Sequence, residues 1–486
     1  LIWNGPYDLR LELGNDVSSA QLLHYLVRFA ASEDEQSHLG LPLQEIAHKP
    51  SPRLVHVIWK QEKINRAERN RSAALILNRG DSRYHRWNHS VCDELLRLSG
   101  ISSNLQPTSL GKPKNYAQSY IVHVFNLEAI GIQAIRSSHA TQKMSEFLEI
   151  DRSKSYIQSI ERTAVRAIYT LGLDFGEVVL TADEGRHFIV ESVKSTPELH
   201  LATARLYAQA ILKFGKLYSS ESPRDSSIML GMDPEFLLVN PFTGKIASAS
   251  RYLEAHGEAG YDAITRNGKR IFPIAELRPD PSAEPRQLMT HLLHALHRAS
   301  DLIPDSSLIW QAGGMPKIGF PLGGHIHFSG MANTSELLRV LDNYLTLPVA
   351  VLEGRESGLR RPQYGFLGDF RTQPYGGFEY RTLPSFLVSP VVAKGVVSAA
   401  KLIAVNYERL TLRPLDDLKI LRAFYNGERE TLRYAALKVI DDLTSLDDYY
   451  KYEEYLLPFL KAVQAGKQWD EKRDIRPLWK IYSSKC

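Results

Sequence analysis

Four short segments in the middle of the chain carry ionisable residues two positions apart inside otherwise apolar runs. Asp233 and Glu235 form the first pair, Glu276 and Arg278 the second, His325 and His327 the third, and Glu379 and Arg381 the fourth. A β-strand repeats every two residues, so each pair falls on one face of a sheet. A single pair is ordinary, because exposed strand faces are polar by default. Four pairs, each flanked by Gly or Pro and chemically consistent with the others, predict a sheet with four carboxylates, two imidazoles and two guanidinium groups on one face. Carboxylates crowded together repel one another, and divalent cations are the remedy. Hard oxygen ligands, at most one or two His and no Cys favour Mg²⁺ or Mn²⁺ over zinc.

Arginine supplies the second half of the pattern. Arg355, Arg360, Arg361, Arg371 and Arg381 follow one another in a stretch broken by Gly and Pro, which predicts loops. A guanidinium fork matches phosphate and carboxylate oxygens two at a time. Carboxylates that hold metal, next to arginines on loops, describe a site that clamps a nucleoside triphosphate and an anionic substrate. One or two of these arginines are expected to pair with Glu353, Glu356 or Asp369 instead. His291, His294 and His297 lie at helical spacing with no carboxylate partner and predict a helix packed on the sheet. His256 belongs to no pattern.

The chain has 486 residues, enough for two or three domains. Hydrophobic residues make up 43% and charged residues 23%, and the formal net charge is +4. No long basic stripe accompanies that charge, which argues against nucleic acid as a partner. The run Lys60, Lys63, Arg66, Arg69 and Arg71 reads as a solvated helix face. Cys92 and Cys486 make neither a disulfide framework nor a zinc site, and a reducing cytoplasmic setting fits them best. No apolar run reaches the roughly 18–20 residues needed to cross a bilayer, so no membrane partner is expected. The N-terminal residues lack an export pattern, and the chain starts at Leu1 rather than Met, as a missing or processed start would leave it. An oligomer is compatible with all of this.

Residues 219–227 are polar, contain Pro223 and read as a linker. A softer boundary falls at residues 406–414, after an apolar helix-like run over 391–405. The expected organisation is an α/β domain over 1–220, a catalytic domain over 228–414 and a helical C-terminal extension over 415–486. In the first domain, 54–59, 120–125, 177–180 and 187–190 read as strands, with a turn over 183–186 and a helix over 155–171.

The middle segments resemble a known group. Gly324 to Ser329 looks like the Gly-x-His-x-His-x-Ser segment of glutamine synthetases, and Phe378 to Pro384 like their Glu-x-Arg-x-Pro strand. Asp233-Pro-Glu235 stands at their first acidic pair. The wider resemblance, over about 228–405 and into the tail, is to carboxylate–amine ligases of the glutamine synthetase and glutamate–cysteine ligase fold, in particular the type 2 amidoligases. It implies an α+β fold, with a glutamine synthetase-like antiparallel sheet and helices on one side. It also implies Asp233, Glu235, Glu276, His325 and Glu379 as metal ligands, with His327 lining the same face. Arg371 and Arg381, with His327 and Ser329, would bind the nucleotide. Arg360 or Arg361 would hold the substrate carboxylate or the transferring phosphoryl group. The chain departs from the synthetases in having Asp at 233, Pro234 beside it and fewer acids on the Glu276 strand. A second comparison links residues 164–176 and 188–191 to the closing strands of ATP-grasp ligases. Glu191 is followed there by Ser192, Val193 and Lys194, so the module would be degenerate and serve recognition, the alternative being an unrelated α/β domain.

The implied activity is an ATP- and Mg²⁺- or Mn²⁺-dependent ligase that joins a carboxylate to an amine through an acyl phosphate, with its site between residues 231 and 385. The amine must lose a proton, and Glu356 and Asp369 are the candidate bases. Substrates would be small molecules or peptides, and the large first domain tilts the expectation toward a peptide. A metal-dependent hydrolase of phosphoester or amide bonds is the alternative, which the arginine cluster disfavours. A non-catalytic scaffold would require loss of the acidic pairs.

Overall fold

The computed structural model describes residues 2–37, 54–59, 74–105, 118–136, 144–182, 187–220, 225–266 and 268–481. The basic run from Lys60 to Arg71, the turn over 183–186 and Cys486 lie outside the described residues. The chain divides into two compact units, Leu1–Ser222 and Pro223–Cys486.

The first unit contains two sheets. In one, Leu9–Leu13, Leu54–Trp59 and Ala74–Leu77 run parallel, and Ile2–Asn4 pairs antiparallel with Leu9–Leu13. The second is antiparallel throughout, in the order Met144–Leu148, Glu128–Arg136, Ser119–Phe125, Phe175–Ala182, Phe188–Lys194. The α/β expectation thus holds for one sheet only. Strands Ser119–Phe125 and Glu128–Arg136 are joined by a tight turn in which Asn126 takes φ 46°, and so short a link fixes an antiparallel pair. Ser155–Thr170 and Leu201–Ser220 are helices. Trp59 stacks on Phe175 with ring centres 4.8 Å apart and meets Tyr207 edge-on, while the Tyr207 hydroxyl donates to the Gly176 carbonyl at 2.8 Å.

The second unit is built on an antiparallel sheet in the order Ala259–Arg266, Lys269–Leu277, Met229–Val239, Gly324–Ser329, Phe378–Tyr380, Phe370–Thr372. The two short strands Ile246–Ala247 and Ile309–Gln311 pair with the far end of Met229–Val239. Alternation sorts the faces. Leu230, Met232, Ile326, Phe328, Phe378 and Tyr380 are buried on the apolar side, where Phe328 stacks on Phe378 at 5.1 Å. Beneath them the Tyr380 hydroxyl donates to Asp342 at 2.6 Å. The helix Pro285–Leu302 carries the three histidines and packs against the strands Ala259–Arg266, Lys269–Leu277 and Met229–Val239.

Residues 415–486 belong to this second unit rather than to a third. Helix Glu453–Gln464 lies along the buried helix Pro390–Asn406, and Arg429–Thr444 packs on Leu347–Leu352. Gly395 makes the first of these contacts close, since a Cβ there would collide with Phe459. Most of Pro390–Asn406 is buried, and the C-terminal helices supply part of its cover.

Candidate active site

Register carries the four pairs into one row. Glu235 stands opposite Glu276, Asp233 opposite His325, Gly231 opposite His327, and His327 in turn opposite Glu379, which faces Arg371. A Cβ at Gly231 would stand in ordinary contact with the His327 Cβ, at 3.4 Å. His325 Nδ1 lies 2.9 Å from Asp233 Oδ1 and 3.0 Å from Glu379 Oε1, and His327 Nε2 lies 3.0 Å from Asp233 Oδ2. The Asp233 Oδ1 and His325 Nδ1 atoms approach without the alignment of a hydrogen bond, so both stay buried without one. The Gly323 amide donates to Glu235 Oε2 at 2.7 Å, and the Ser385 hydroxyl donates to the Glu235 carbonyl at 2.6 Å.

The charges of this face are strongly displaced. Burial pushes the Glu235 carboxyl up to about 7, against the pull of His325. Burial, with the charges of Asp233 and Glu235, pushes Glu276 up to about 8. Burial opposes ionisation of Asp233 as well, yet the two imidazoles hold it well below the usual carboxylate range. The ring of His325 would lose its proton to burial, but Asp233 and Glu379 hold it up at about 10. Glu379 is likewise held down, by His325 and Arg381 against burial. Burial sets the shifts of Glu235 and Glu276, and ion pairing sets those of Asp233, His325 and Glu379.

The residues fit a hard divalent cation. Asp233, His327 and Glu379 each offer a ligand atom, all within 4.8 Å of one another, and so do Glu235, Asp262 and Glu276. Oxygen donors with one imidazole are a magnesium or manganese set. The imidazoles divide differently from the sequence expectation. His327 joins the first group, whereas His325 sits between Asp233 and Glu379 as their shared counter-charge. Asp262 was not among the expected ligands. It sits on the Ala259–Arg266 strand in a polar stretch, where nothing local separates it from a solvated residue.

The arginines split into two classes. Arg371 and Arg381 reach Glu379 at 3.4 and 3.0 Å from the edge of the row, and the Arg371 side chain is 58% exposed. Arg360 and Arg361 depart from their expected roles. Arg360 is buried and donates to the backbone carbonyls of Leu322 and Thr382. Arg361 is buried too, pairs with Glu353 through both terminal nitrogens and lies 4.2 Å over the Phe424 ring. Their terminal nitrogens close the loops around the sheet, and both side chains are buried. Glu356 also lies apart. It pairs with Lys472 at 3.8 Å and lines a cleft with Trp469 and Glu471. Asp369 contributes its carbonyl, which accepts from the Arg381 amide at 2.8 Å.

Two cavities adjoin the row. One, of about 440 Å³, is lined by Met232, Asp233, Arg278, His327, Ser329 and Tyr375 among others. The Tyr375 hydroxyl and His327 Nδ1 share a hydrogen bond of 3.1 Å. The other, of about 320 Å³, lies on the hairpin that carries Asp262. His256 lines it, while the His291 ring bonds the Asp280 carbonyl at 2.7 Å. Two supports escaped the sequence reading. Gln373 donates to Glu379 at 2.9 Å. Glu471, near the end of the chain, accepts from the amides of Gly314 and Met315, each at 2.9 Å, and from the Trp469 indole. Leu322 in turn donates to the Gly314 carbonyl at 2.9 Å, next to the Gly323 that holds Glu235.

Residues 230–481, just over half of the chain, match the family described as phage phiEco32-like COOH.NH2 ligase-type 2. The chain belongs to this family. The match takes in the whole carboxylate row and the C-terminal helices up to residue 481. The family joins a carboxylate to an amine, and this chain is a carboxylate–amine ligase. A comparison with curated proteins gives no match. Among solved structures, the ATP-grasp ligase PsnB complexed with minimal precursor, Mg and ADP is similar at a TM-score of 0.29 and 9% identity, covering 44% of this chain and 99% of that one. PsnB complexed with precursor peptide PsnA2 and AMPPNP gives 0.27 and 10%, covering 44% and 100%. Scores of that size set no fold for this ligase.

Proposed function

We propose that the carboxylate row binds Mg-ATP and activates a substrate carboxylate as an acyl phosphate, which an amine then captures as an amide or isopeptide. The observation that carries this reading is the placement of Glu379. It stands with Asp233 and His327 in a group that could hold a cation, and it also meets Arg371 and Arg381. A hydrolase of phosphoesters needs no ATP stoichiometry, so release of ADP separates it from this reading.

Asp233, His327 and Glu379, and beside them Glu235, Asp262 and Glu276, would hold magnesium or manganese, which supplies charge neutralisation for the phosphates. Arg371 and Arg381 meet the β- and γ-phosphate oxygens in this reading, and the cavity at His327 and Ser329 takes the nucleoside. His325 fixes the spacing of Asp233 and Glu379. In the first step a substrate carboxylate oxygen attacks the γ-phosphorus and ADP leaves. In the second, the amine nitrogen attacks the acyl carbon, phosphate leaves and the amine proton passes to a base. Glu356 is a poor candidate for that base, since it lines a different cleft. Peptide substrates remain part of the proposal, and PsnB, which is complexed with a precursor peptide, is a precedent at the level of chemistry only. No helix among the described residues is long and apolar enough to cross a membrane.

The test is release of ADP by purified protein with Mg²⁺, across amino acids and peptides, with mass analysis for the loss of water on coupling. Absence of ADP with every substrate, together with unchanged nucleotide binding in Glu379→Gln, would sink the reading.

A further inference from the structure

The helix beneath the Glu379 strand changes pitch in its middle. Ser335–Leu341 and Leu347–Leu352 are α-helical, and Asp342–Thr346 between them is π-helical. The Leu347 amide there donates to the Asp342 carbonyl, five residues back. Pro348 supplies a local cause. It has no amide to give to the Tyr344 carbonyl, and in an α-turn its ring would crowd that carbonyl, so the backbone widens. Turns of this kind recur at functional sites.

All residues of the turn are buried, and Asp342, Asn343, Tyr344 and Thr346 bring polar groups into the interior. Asp342 Oδ1 accepts from the Tyr380 hydroxyl at 2.6 Å and from the Gly368 amide at 3.1 Å. Tyr380, its proton given to Asp342, accepts from the Thr346 hydroxyl at 2.6 Å. Tyr380 stands between Glu379 and Arg381 and faces the other side of the strand. Gly368 stands two residues before Phe370–Thr372, the strand that carries Arg371. One carboxylate oxygen thus ties both arms of the hairpin on which Glu379, Arg381 and Arg371 are mounted.

Arg371 depends on such a tie. Its strand is three residues long and lies at the edge of the sheet, and its side chain is 58% exposed. Pairing sets Arg371 opposite Glu379, while the loop before it sets how closely the strand is seated. That loop is held at Gly368 by Asp342 and at Asp369, whose carbonyl accepts from the Arg381 amide at 2.8 Å. Apolar side chains would fill the interior at lower cost than a buried carboxylate. What the carboxylate adds is direction, because hydrogen bonds fix angles that apolar packing leaves free.

We propose that Asp342 is a positioning residue for the reaction: through Gly368 and Tyr380 it holds Arg371 against Glu379, where the terminal phosphate is met. The proposal rests on the Mg-ATP reading of the row. It adds to that reading a residue on the opposite face of the sheet, which acts only through Arg371.

A double-mutant cycle in the full chain separates positioning from a merely structural role. Calorimetry measures the affinity of AMP-PNP with Mg²⁺ for the wild type, Asp342→Ala, Arg371→Gln and the two combined. Asp342→Ala is expected to weaken AMP-PNP by about ten-fold, the size of one good charge-assisted contact. In the Arg371→Gln background the same change should cost less than about two-fold. ADP, which lacks the terminal phosphate, should lose less than about three-fold in Asp342→Ala. Asp342→Asn keeps one acceptor oxygen for both bonds and should bind AMP-PNP within about three-fold of the wild type. If Asp342→Ala does not fold, Tyr380→Phe, which keeps the ring, replaces it in the cycle, with a loss of at least about three-fold that vanishes in the Arg371→Gln background. Equal losses with and without Arg371, unchanged affinity in Arg371→Gln, or an Asp342→Asn variant as weak as Asp342→Ala overturns the proposal. Failure of AMP-PNP to bind the wild-type chain is a separate outcome, which removes the Mg-ATP reading and this proposal with it.

Discussion

Glu379 is the residue on which most of the site converges, with His325, Arg371, Arg381 and Gln373 all reaching its carboxylate. Glu379→Gln keeps the shape and removes the charge. It should weaken Mg²⁺-dependent AMP-PNP binding by about 10–100-fold, the usual cost of losing a ligand or its support at a metal site. Titration calorimetry at fixed Mg²⁺ reads this, and unchanged affinity would place the nucleotide elsewhere. Arg361 should behave in the opposite way. Its partner Glu353 is buried, so Arg361→Met leaves an unpaired carboxylate and should cost about 3–5 kcal/mol of stability. Denaturant unfolding measures that loss. The double variant Arg361→Met with Glu353→Gln should recover much of it, as a substrate-binding role for Arg361 does not predict. The sequence placed Arg360 and Arg361 with the substrate because a guanidinium satisfies a backbone carbonyl and a phosphate equally well. Only the register of the loop decides between them. Asp233, Glu235, Glu276 and Glu379 were legible because strand periodicity is local, whereas Asp262 enters its group only through pairing between strands.

At the scale of elements, the support of the row comes from distant parts of the chain. Glu471 holds the loop at Gly314 and Met315, that loop binds Leu322, and Gly323 binds Glu235. Glu471→Gln loses the charge behind two amide hydrogen bonds, so the loop should loosen. The expected result is a fall in kcat of about ten-fold with a smaller change in nucleotide affinity, because the reacting side of the row is displaced rather than removed. Steady-state ADP release checks this, and an unchanged kcat would show the loop to be irrelevant to chemistry. No pattern near Glu471 announces such a role, since its partners lie more than 150 residues away. Helix packing gives a second case. Gly395→Val places a branched side chain against Phe459 and should cost about 1–3 kcal/mol, visible as a lower unfolding midpoint. The apolar run over 391–405 announced a buried helix. What covers it depends on a helix boundary some 60 residues on, which is why the tail read as an extension and folds as part of the unit.

For the molecule as a whole, the carboxylate row couples stability to protons and to metal. Glu235 and Glu276 titrate at about 7 and about 8 in the folded chain, above the ordinary carboxyl value, and His325 at about 10, above the ordinary imidazole value. The folded state therefore binds more protons than the unfolded one between the ordinary values and these. Each group contributes stability that is fully present below its unfolded value and is lost as pH rises through its folded value. For the two glutamates that window runs from about pH 4.5 to 8, and for His325 it continues the same trend above pH 6.5. Asp233 and Glu379 are shifted the other way, and their contribution is lost only as pH falls through their depressed values, below that window. Metal-free protein should thus become less stable as pH rises from 5.5 to 8. Mg²⁺ or Mn²⁺ binds the ionised carboxylates of the folded state and should reverse the trend, raising the midpoint more at pH 8 than at pH 5.5. Thermal unfolding in chelator and in excess Mg²⁺ at the two pH values measures all four states. If metal raised the midpoint equally at both, the buried carboxylates would not be the groups that hold it. Glu235→Gln with Glu276→Gln, which keeps the shape and removes both titrations, should flatten the metal-free profile from pH 5.5 to about 6.5 and leave a shallower fall above it from His325.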